Sequence, residues 1–407
     1  MYKQIFLKRG KEESLKRFHP WIFSGAIHHM DEGIEEGETV RVITAAGEFI
    51  AVGHYQIGSI AVRVLSFEDI EINTDFWCER LQSALDVRIG VGIADSPTNN
   101  TYRLVHGEGD YLPGLVIDCY GSTAVMQAHS VGMHVCRNEI CQALVQVMGD
   151  RIANVYYKSE TTLPYKADLH QENGFLVGGD ASNVAMENGL KFHIDWLRGQ
   201  KTGFFVDQRE NRSLLELYAK GKSVLNMFCY TGGFSVYAMR CDAKQVHSVD
   251  SSAKAIELTN DNVALNFPGD ARHEAFCEDA FKYLDEHDQQ YDLIVLDPPA
   301  FAKHRAALRN ALKGYTRLNV KGLQRIKKGG ILFTFSCSQV VTKDNFRNAV
   351  FTAAAQVGRK VRILHQLHQP ADHPINIYHP EGEYLKGLVL YAVSYTHLRA
   401  HETCADL

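Results

Sequence analysis

Cys337 is the residue of this sequence with the clearest capacity for covalent chemistry. It follows residues 331–335, an apolar run that predicts an interior strand, and it stands between Ser336 and Ser338. Because free cysteine is among the most buried residue types, a place in the core is its ordinary interpretation. A thiolate is also a strong nucleophile, so the residues that gather around Cys337 decide between the two interpretations.

Three carboxylates also stand at or just after the ends of apolar segments. Asp250 closes "QVHSVD", Asp279 follows "EAFCE", and Asp297 opens "DPP" after "YDLIVL". Each aspartate alone is most simply a helix N-cap. In an open parallel sheet, however, the carboxyl ends of the strands share the edge at which ligands bind. We therefore expect the three carboxylates and Cys337 to belong to one site.

The turn "NMFCYTGGFS" indicates which cofactor this edge would hold. It contains only Gly232 and Gly233, whereas a pyrophosphate requires a glycine-rich cradle at a helix N-terminus. S-adenosylmethionine (SAM) carries no phosphate, so fewer glycines suffice. Asp250 is then placed to accept both ribose hydroxyls of SAM, and Asp279 to accept the adenine amino group.

The two prolines of "DPP" predict a stiff loop at Asp297. Proline cannot continue a strand ladder or enter the interior of a helix. Asp297 and the backbone carbonyls of the loop would then point at one fixed spot. In SAM-dependent methyltransferases, which this loop resembles, that spot holds the nitrogen-containing edge of a base. Cys337 ends the next strand of the sheet, so Asp297 and Cys337 are predicted to face one substrate.

Strands alternate with helices from about residue 186, which predicts a doubly wound α/β domain. Apolar segments from "KSVLNMF" to "GGILFTFSCS" are separated by helical ones, as expected for a parallel sheet covered by helices. Residues 37–66 alternate apolar and polar side chains between glycine-containing turns, which predicts a small antiparallel β-unit. The predicted domains are a β-rich domain at 1–72, a central α/β domain at 73–185 and the doubly wound domain at 186–394. Within the central domain the sequence predicts a helix near 74–89, a tight turn at Pro113–Gly114 that leads into a strand, and a helix near 131–148.

Composition limits the class of protein and its compartment. The chain has 407 residues, 45% hydrophobic content and a formal net charge of −5, typical of a globular protein with more than one domain. It shows no apolar run of transmembrane length, and its charged start does not resemble a signal peptide. Nine dispersed cysteines favour reduced thiols over a disulfide framework or a zinc site. We therefore expect a cytoplasmic protein without membrane or metal partners.

Two basic segments could bind RNA although the total charge is acidic. The first twenty residues hold six basic side chains, including Lys8 and Arg9, and Trp21 follows; phosphate contacts beside aromatic side chains suit RNA. Residues 298–343 hold ten basic side chains, Lys303 among them, and no acidic one. Six of these recur every four residues and define a basic flank: Arg305, Arg309, Lys313, Arg317, Lys321 and Arg325. The alternative for both segments is a solvated surface.

Motifs in order along residues 1–394 resemble the RlmI-type family of ribosomal RNA large-subunit methyltransferases, which make 5-methylcytosine. "HPWIFSGAI" with the β-unit resembles their N-terminal PUA domain, and "GEGDYLPGLVID" resembles a signature of their central domain. "TGFFVDQRENR", "VLNMFCYTGGFSV", "DPPAFAK" and "FSCS" resemble their methyltransferase motifs. The final segment, 395–407, has no apolar period and resembles translated adaptor or vector sequence, so it is set aside.

The resemblance implies a Rossmann-like SAM-dependent methyltransferase domain preceded by a PUA-like domain and a central α/β domain. It makes Cys337 the nucleophile and Asp297 a contact of the target base. The residues implied to bind SAM are Gln208, Arg212, Phe228, Tyr230, Thr231, Gly232, Asp250, Ser251, Asp279, Ala280 and Asp297. Those expected to contact RNA are Lys8, Arg9, Lys303, Arg309 and Lys313. The implied partner is large-subunit ribosomal RNA, and a homodimer is left open.

Covalent chemistry at Cys337 would solve the poor reactivity of cytosine carbon 5. A thiolate that adds to carbon 6 makes carbon 5 nucleophilic toward a methyl group. "DPPAFAK" holds no second cysteine, so the base that removes the carbon 5 proton is unassigned. Two alternatives stay open: a methyltransferase acting on a base nitrogen such as guanine N7, and an RNA-binding assembly factor without catalysis. A dehydrogenase is disfavoured by the turn at Gly232.

Overall fold

The chain, described here from a computed structural model, forms two compact units. The structure describes residues 2–164, 169, 172–179 and 181–395. The first unit comprises residues 1–207 with 370–382, and the second comprises residues 208–369 with 383 onward. The predicted domain boundaries at 72, 185 and 394 stay predictions, and the set-aside segment beyond Tyr395 lies outside the described residues.

The first unit begins with a β-rich part whose alternating pattern buries one set of side chains. Its strands are β1 (Lys3–Leu7), β2 (Trp21–Phe23), β3 (Ile27–Met30), β4 (Thr39–Ile43), β5 (Phe49–Tyr55) and β6 (Ile60–Ser66). They form a sheet in the order β2-β6-β5-β4-β1-β3. Strands β4, β5 and β6 pair antiparallel, which confirms the β-unit predicted at 37–66. Val40 and Val42 of β4 pack with Val62 of β6 in its core.

A second, mixed α/β part follows in the same unit. Its elements are α1 (Thr74–Gly90), β7 (Thr101–His106), β8 (Leu115–Tyr120), β9 (Thr123–Ala128), α2 (Val131–Val135), α3 (Arg137–Met148), β10 (Asn154–Tyr157) and β11 (Gly174–Val177). The sheet order is β11-β10-β9-β8-β7. The predicted helix near 74–89 and the turn at Pro113–Gly114 are confirmed, with Gly114 at φ +86°. The helix predicted near 131–148 is present, but it is interrupted at Cys136, where ψ is 4°, and no proline or glycine stands at the interruption.

A hairpin of β12 (Val184–Glu187) and β13 (Leu190–His193) closes the first unit. Its two-residue turn is Asn188–Gly189, and both residues have positive φ. This is the backbone that a tight antiparallel hairpin requires, and Asn–Gly is the pair that adopts it most readily.

The segment "GEGDYLPG" has a structural role in the first unit. Asp110 accepts two hydrogen bonds from the buried guanidinium of Arg88, at 2.5 and 2.7 Å. A third donor of Arg88 binds the carbonyl of Asp372 at 2.8 Å, which fixes the returning segment 370–382. A Cβ on Gly109 would lie 2.0 Å from the carbonyl oxygen of Pro374, so only glycine fits this close approach.

The second unit is a doubly wound sheet, as predicted. Its elements are α4 (Arg209–Ala219), β14 (Ser223–Met227), α5 (Gly233–Arg240), β15 (Gln245–Asp250), α6 (Ala253–Asn266), β16 (His273–Cys277), α7 (Ala280–Glu286), β17 (Tyr291–Leu296), α8 (Leu308–Arg325), β18 (Ile326–Ser336), α9 (Lys343–Val357), β19 (Arg359–His368) and β20 (Lys386–Tyr395). The strand order is β16-β15-β14-β17-β18-β20-β19. Strands β14 to β18 are parallel, and β20 lies antiparallel between β18 and β19.

This order places the candidate residues at one edge. The chain moves outward from β14 through β15 and β16, then returns to the other side of β14 with β17. Such a reversal opens a crevice at the carboxyl ends of the strands, where doubly wound proteins bind ligands. The interior position predicted for residues 331–335 is confirmed, since β18 pairs with β17 on one side and with β20 on the other.

Candidate active site

The loop after β14 has a strained backbone held in place by α6. Phe228 and Tyr230 have positive φ values of 60° and 47°, a conformation that costs on the order of 1–3 kcal/mol per residue and concentrates at functional sites. Thr259 donates to the carbonyl of Tyr230 at 2.9 Å, and Asn262 donates to that of Thr231 at 2.8 Å. The two α6 residues were not foreseen from the sequence, and they fix which backbone groups the loop presents.

Gly232 ends this loop at a place that has no room for a side chain. Its φ is +74°, and a Cβ there would lie 2.7 Å from the Cγ2 atom of Thr259. Both the backbone conformation and the close approach therefore require glycine. Gly233 begins α5, and a Cβ on it would lie 2.9 Å from the Cδ atom of Arg212. The structure thus brings Arg212, predicted as a SAM residue, against the start of α5.

Asp250 is joined directly to the loop. Its Oδ2 atom accepts from the backbone nitrogen of Tyr230 at 3.1 Å, and its Oδ1 atom accepts from that of Ser252 at 2.9 Å. The N-cap of α6 is Ser252, whose side chain accepts from Ala255, so Asp250 does not cap this helix. Its carboxylate is partly exposed at the end of β15, next to exposed Ser251.

Asp279 does act as a helix N-cap, and it keeps one oxygen for another role. Its Oδ1 atom accepts from the backbone nitrogens of Phe281 and Lys282 at 2.9 and 3.0 Å. Ala280, the first residue of α7, is buried behind it. Because both cap bonds use one oxygen of an exposed side chain, capping and an adenine contact are compatible.

Asp297 meets Gln208 at the end of β17. The Nε2 atom of Gln208 donates to the Oδ2 atom of Asp297 at 3.1 Å, and its Oε1 atom accepts from Asn211 at 2.7 Å. Gln208 is buried, so these two bonds fix the orientation of its amide. Gln208, which the sequence predicts to bind SAM, therefore orients the carboxylate of Asp297, which is predicted to face the target base.

Cys337 lies against the loop that contains Asp297. Its thiol donates to the carbonyl oxygen of Pro298 at a sulfur–oxygen distance of 3.9 Å. The thiol is half-buried, whereas Ser336 and Ser338 on either side are buried. The Oγ atom of Ser338 lies 2.9 Å from the hydroxyl oxygen of Tyr315, so the flanking serine is part of the framework.

A buried lysine beside Cys337 was missed from the sequence. Lys386, the first residue of β20, donates from Nζ to the carbonyl of Ser338 at 2.7 Å. Burial lowers the pKa of Lys386 to about 8, against an opposing effect of the charge of Cys337. The signal in the sequence was a single lysine directly before the apolar run "GLVLYAV".

The basic residues predicted to contact RNA are on the surface of their units. Lys8 and Arg9 are exposed in the first unit, and Lys303, Arg309 and Lys313 are exposed in the second. The basic flank as a whole is not uniform, which corrects the expectation of one continuous surface. Its last two members, Lys321 and Arg325, form ion pairs with Asp285 and Asp288.

Neither a membrane-spanning helix nor a metal-ion cluster occurs in the described part of the chain. None of the helices there has the length and apolar character needed to cross a membrane. The described His, Cys, Asp and Glu side chains include no group of three or more placed to hold a metal ion.

Comparison with known proteins identifies the family. Residues 5–67 match the model of a PUA-like domain, and residues 170–376 match that of an S-adenosylmethionine-dependent methyltransferase. Ribosomal RNA large subunit methyltransferase I of Tolumonas auensis is 40% identical over 402 residues, which cover 97% of this chain and 100% of that protein. The protein of the same name from Alteromonas mediterranea is 39% identical over 395 residues, covering 96% and 98%. The chain belongs to the ribosomal RNA large subunit methyltransferase I family.

Solved structures of this methyltransferase fold agree with the family. A candidate SAM-dependent methyltransferase from Streptococcus mutans is similar with a TM-score of 0.81 and 25% identity, over 95% of this chain and 99% of that one. A candidate methyltransferase complexed with S-adenosylhomocysteine, the product of SAM after methyl transfer, gives a TM-score of 0.82 at the same identity and coverage. The recognition of the family and of a SAM-dependent methyltransferase from the sequence motifs is confirmed.

The β14 edge has the chemical groups that SAM requires. The carboxylate of Asp250 is an acceptor for ribose hydroxyls, and the left-handed turn through Tyr230 and Gly232 leaves no side chain in the crevice at Gly232. The SAM dependence of the family therefore has a matching site in this chain. The roles assigned to single residues stay predictions.

Proposed function

We propose that this enzyme methylates carbon 5 of a cytosine in large-subunit ribosomal RNA, with Cys337 as the nucleophile. The observation that carries the proposal is the contact between the Cys337 thiol and the carbonyl of Pro298, in the loop that Asp297 opens. A methyltransferase that acts on a base nitrogen needs no thiol at this place. The names of the relatives and the PUA-like domain at residues 5–67 support ribosomal RNA as substrate.

Each residue has a defined task in this proposal. SAM, held by Asp250, Asp279 and the loop after β14, supplies an electrophilic methyl group when it is bound. The thiolate of Cys337 adds to carbon 6 of cytosine, and the electrons of the carbon 5–carbon 6 double bond become available at carbon 5. Carbon 5 uses them to form a bond to the methyl group, while the bond between that methyl carbon and the donor sulfur breaks. Asp297, oriented by Gln208, faces the ring nitrogen, and its carboxylate favours a proton from solvent on that nitrogen, which offsets the negative charge that the thiolate brings into the ring. Loss of the carbon 5 proton to a base then re-forms the double bond and expels the thiolate.

The target base must leave its stack to reach Cys337. Extrusion costs a few kcal/mol, which contacts in the pocket and with the surrounding RNA have to offset. The exposed residues Lys303, Arg309 and Lys313 are proposed as phosphate contacts, together with Lys8 and Arg9 of the first unit. The described cysteines form no disulfide, and a cytoplasmic location, where thiols stay reduced, is part of the proposal. The homodimer stays a prediction.

Covalent trapping tests the proposal directly. RNA that carries 5-fluorocytosine at the target position blocks the final elimination, because fluorine replaces the proton that must leave carbon 5. The wild-type enzyme with SAM should form a protein–RNA adduct that survives a denaturing gel. Cys337→Ala should form no adduct and should lose methyl transfer while it keeps its SAM affinity and melting temperature.

Cys277→Ala is the matched control, since Cys277 is an exposed cysteine at the end of β16, a distant strand of the same sheet. It should form the adduct at the wild-type rate. An adduct in Cys337→Ala, or undiminished methylation of cytosine, places the nucleophile elsewhere. A methyl group found on a base nitrogen would instead support the alternative reaction class, and absence of SAM binding by the wild-type chain would support an assembly factor.

A further inference from the structure

Lys386 is a buried cation whose place in the fold needs a counter-charge. It opens β20 opposite Ser336, the last residue of β18, and only 4% of it is exposed. Its one side-chain hydrogen bond among the described residues runs from Nζ to the carbonyl of Ser338 at 2.7 Å. No carboxylate of the described residues lies within ion-pair distance of its ammonium group.

An ammonium group in such a place is expensive to bury. Lysine is almost never fully buried unless it is paired, because an uncompensated charge loses its hydration. A carboxylate whose charge acts on Lys386 is that of Glu383, and it forms an ion pair with Lys343 at 2.5 Å. Burial lowers the pKa of Lys386 to about 8, and the largest opposing influence is the charge of Cys337, ahead of that of Glu383.

We propose that Lys386 is the counter-ion that stabilises the thiolate form of Cys337. The geometry supports this role from both sides. Ser336, the residue before Cys337, pairs with Lys386 across the two strands. Ser338, the residue after Cys337, accepts the hydrogen bond from the Lys386 ammonium group through its carbonyl. A cation next to a thiol favours the thiolate, which is the reactive form. The inference rests on the proposed function, in which Cys337 is the nucleophile.

The pair also defines where protons go. The thiol proton of Cys337 leaves to solvent, and Lys386 keeps its own proton while it faces the thiolate. Lys386 is therefore a positioning residue and is not the base that removes the carbon 5 proton. Other titratable groups of this region are Glu383 and Lys343, which neutralise one another, and Tyr315, whose pKa is raised by burial so that it stays neutral near pH 8. Asp297 lies at the same edge of the sheet and accepts a hydrogen bond from Gln208; its negative charge opposes ionisation of the thiol, which makes a cation beside Cys337 more necessary.

Alkylation of thiols by iodoacetamide as a function of pH tests the proposal without RNA or SAM. Peptide mass spectrometry follows Cys337 and the exposed Cys277 in the same sample. In the wild-type protein, Cys337 should reach its half-maximal alkylation rate at a lower pH than Cys277. In Lys386→Met, alkylation of Cys337 at pH 7 should slow by about tenfold or more, the factor that one pH unit in thiol ionisation gives. Lys386→Arg keeps the charge and should keep most of the rate, and Cys277 should not change.

Several outcomes overturn the proposal. The first is an alkylation rate of Cys337 in Lys386→Met that depends on pH as in the wild type. The second is an equal loss of this rate in Lys386→Met and Lys386→Arg, because that would indicate an effect of packing instead of charge. The melting transition and the SAM affinity show whether the methionine variant folds. If it does not, the wild-type protein alone decides the question. A pH of half-maximal alkylation for Cys337 that is equal to or higher than that for Cys277 refutes the counter-ion role. Because no methyl transfer is measured, this result is independent of whether Cys337 is the nucleophile, which the 5-fluorocytosine adduct reports.

Discussion

The thiol of Cys337 lies 3.9 Å from the carbonyl oxygen of Pro298, so the residue that follows β18 contacts the loop that follows β17. The parallel register explains the contact, because Leu296 pairs with Thr334 and the two strands end almost together. A thiol and a carboxylate separated by 40 positions in the chain are thereby delivered to one edge of the sheet. The fixed loop of "DPP" and the buried serines around Cys337 keep this arrangement rigid.

Asp250→Ala should weaken SAM binding. The variant removes the proposed acceptor for the ribose hydroxyls and also the bond to the backbone of Tyr230. A buried polar group that loses its partner costs on the order of 1–3 kcal/mol, which corresponds to about 5- to 150-fold in affinity. Isothermal titration calorimetry with SAM measures the change. Asp261→Ala, an exposed aspartate on α6, is the control, and equal affinities of the two variants would remove Asp250 from the site.

Asp110→Ala should destabilise the first unit without touching the SAM site of the second. It leaves the guanidinium of Arg88 buried without its carboxylate, and breaking a buried ion pair from one side costs about 3–5 kcal/mol. Urea unfolding should show a clearly lower midpoint. The exposed pair of Asp95 and Arg151 offers the matched control, since Asp95→Ala should change stability by no more than about 1 kcal/mol. Equal losses in both variants would contradict the structural role of "GEGD".

Much of the fold could be predicted because periodicity and strand ends are visible in the sequence. The strands of the second unit and the positions of Asp250, Asp279 and Asp297 at their ends follow from local pattern. The interruption of the helix at Cys136 could not be predicted, since neither Cys136 nor the residues on either side of it are helix-breaking types.

The contacts that decide the site were less accessible to sequence reasoning. Thr259 and Asn262 are ordinary residues in the middle of a helix, and only the fold brings them under the loop at Tyr230. Lys386 is 49 positions from Cys337, and its role depends on β20 being inserted next to β18. The ion pairs of Lys321 and Arg325 likewise need the packing of α8 beside α7 and the chain that follows it, so spacing alone made the basic flank look uniform.

Gln208→Ala should slow methyl transfer more than it weakens SAM binding. Gln208 is a positioning residue, because it donates to the carboxylate of Asp297 at 3.1 Å. A hydrogen bond to a charged group is worth about 1.5–3 kcal/mol, so kcat should fall by roughly tenfold to a hundredfold. Single-turnover assays at saturating SAM and RNA measure this, with Gln289→Ala, an exposed glutamine, as the control. A loss confined to SAM affinity would assign Gln208 to cofactor binding instead.

The double variant Arg309→Gln with Lys313→Gln should reduce the salt dependence of RNA binding. These two side chains are exposed on α8, and no ion pair engages them among the described residues. Each phosphate that the protein ceases to neutralise lowers the slope of log affinity against log salt concentration by roughly 0.7 for single strands, so the slope should fall by about 1.4. Fluorescence anisotropy with a labelled single-stranded RNA at several salt concentrations measures the slope.

The paired residues at the other end of α8 provide the comparison for this prediction. Lys321→Gln with Arg325→Gln removes charges that Asp285 and Asp288 already neutralise, so this double variant should change the slope little. If the double variant Arg309→Gln with Lys313→Gln has the same salt dependence of RNA affinity as the wild type, the start of α8 is a solvated surface that does not contact RNA. The reason is that the slope measures how many counter-ions leave the RNA when the protein binds. A phosphate that no basic side chain neutralises keeps its counter-ion, so the loss of two phosphate contacts has to lower the slope.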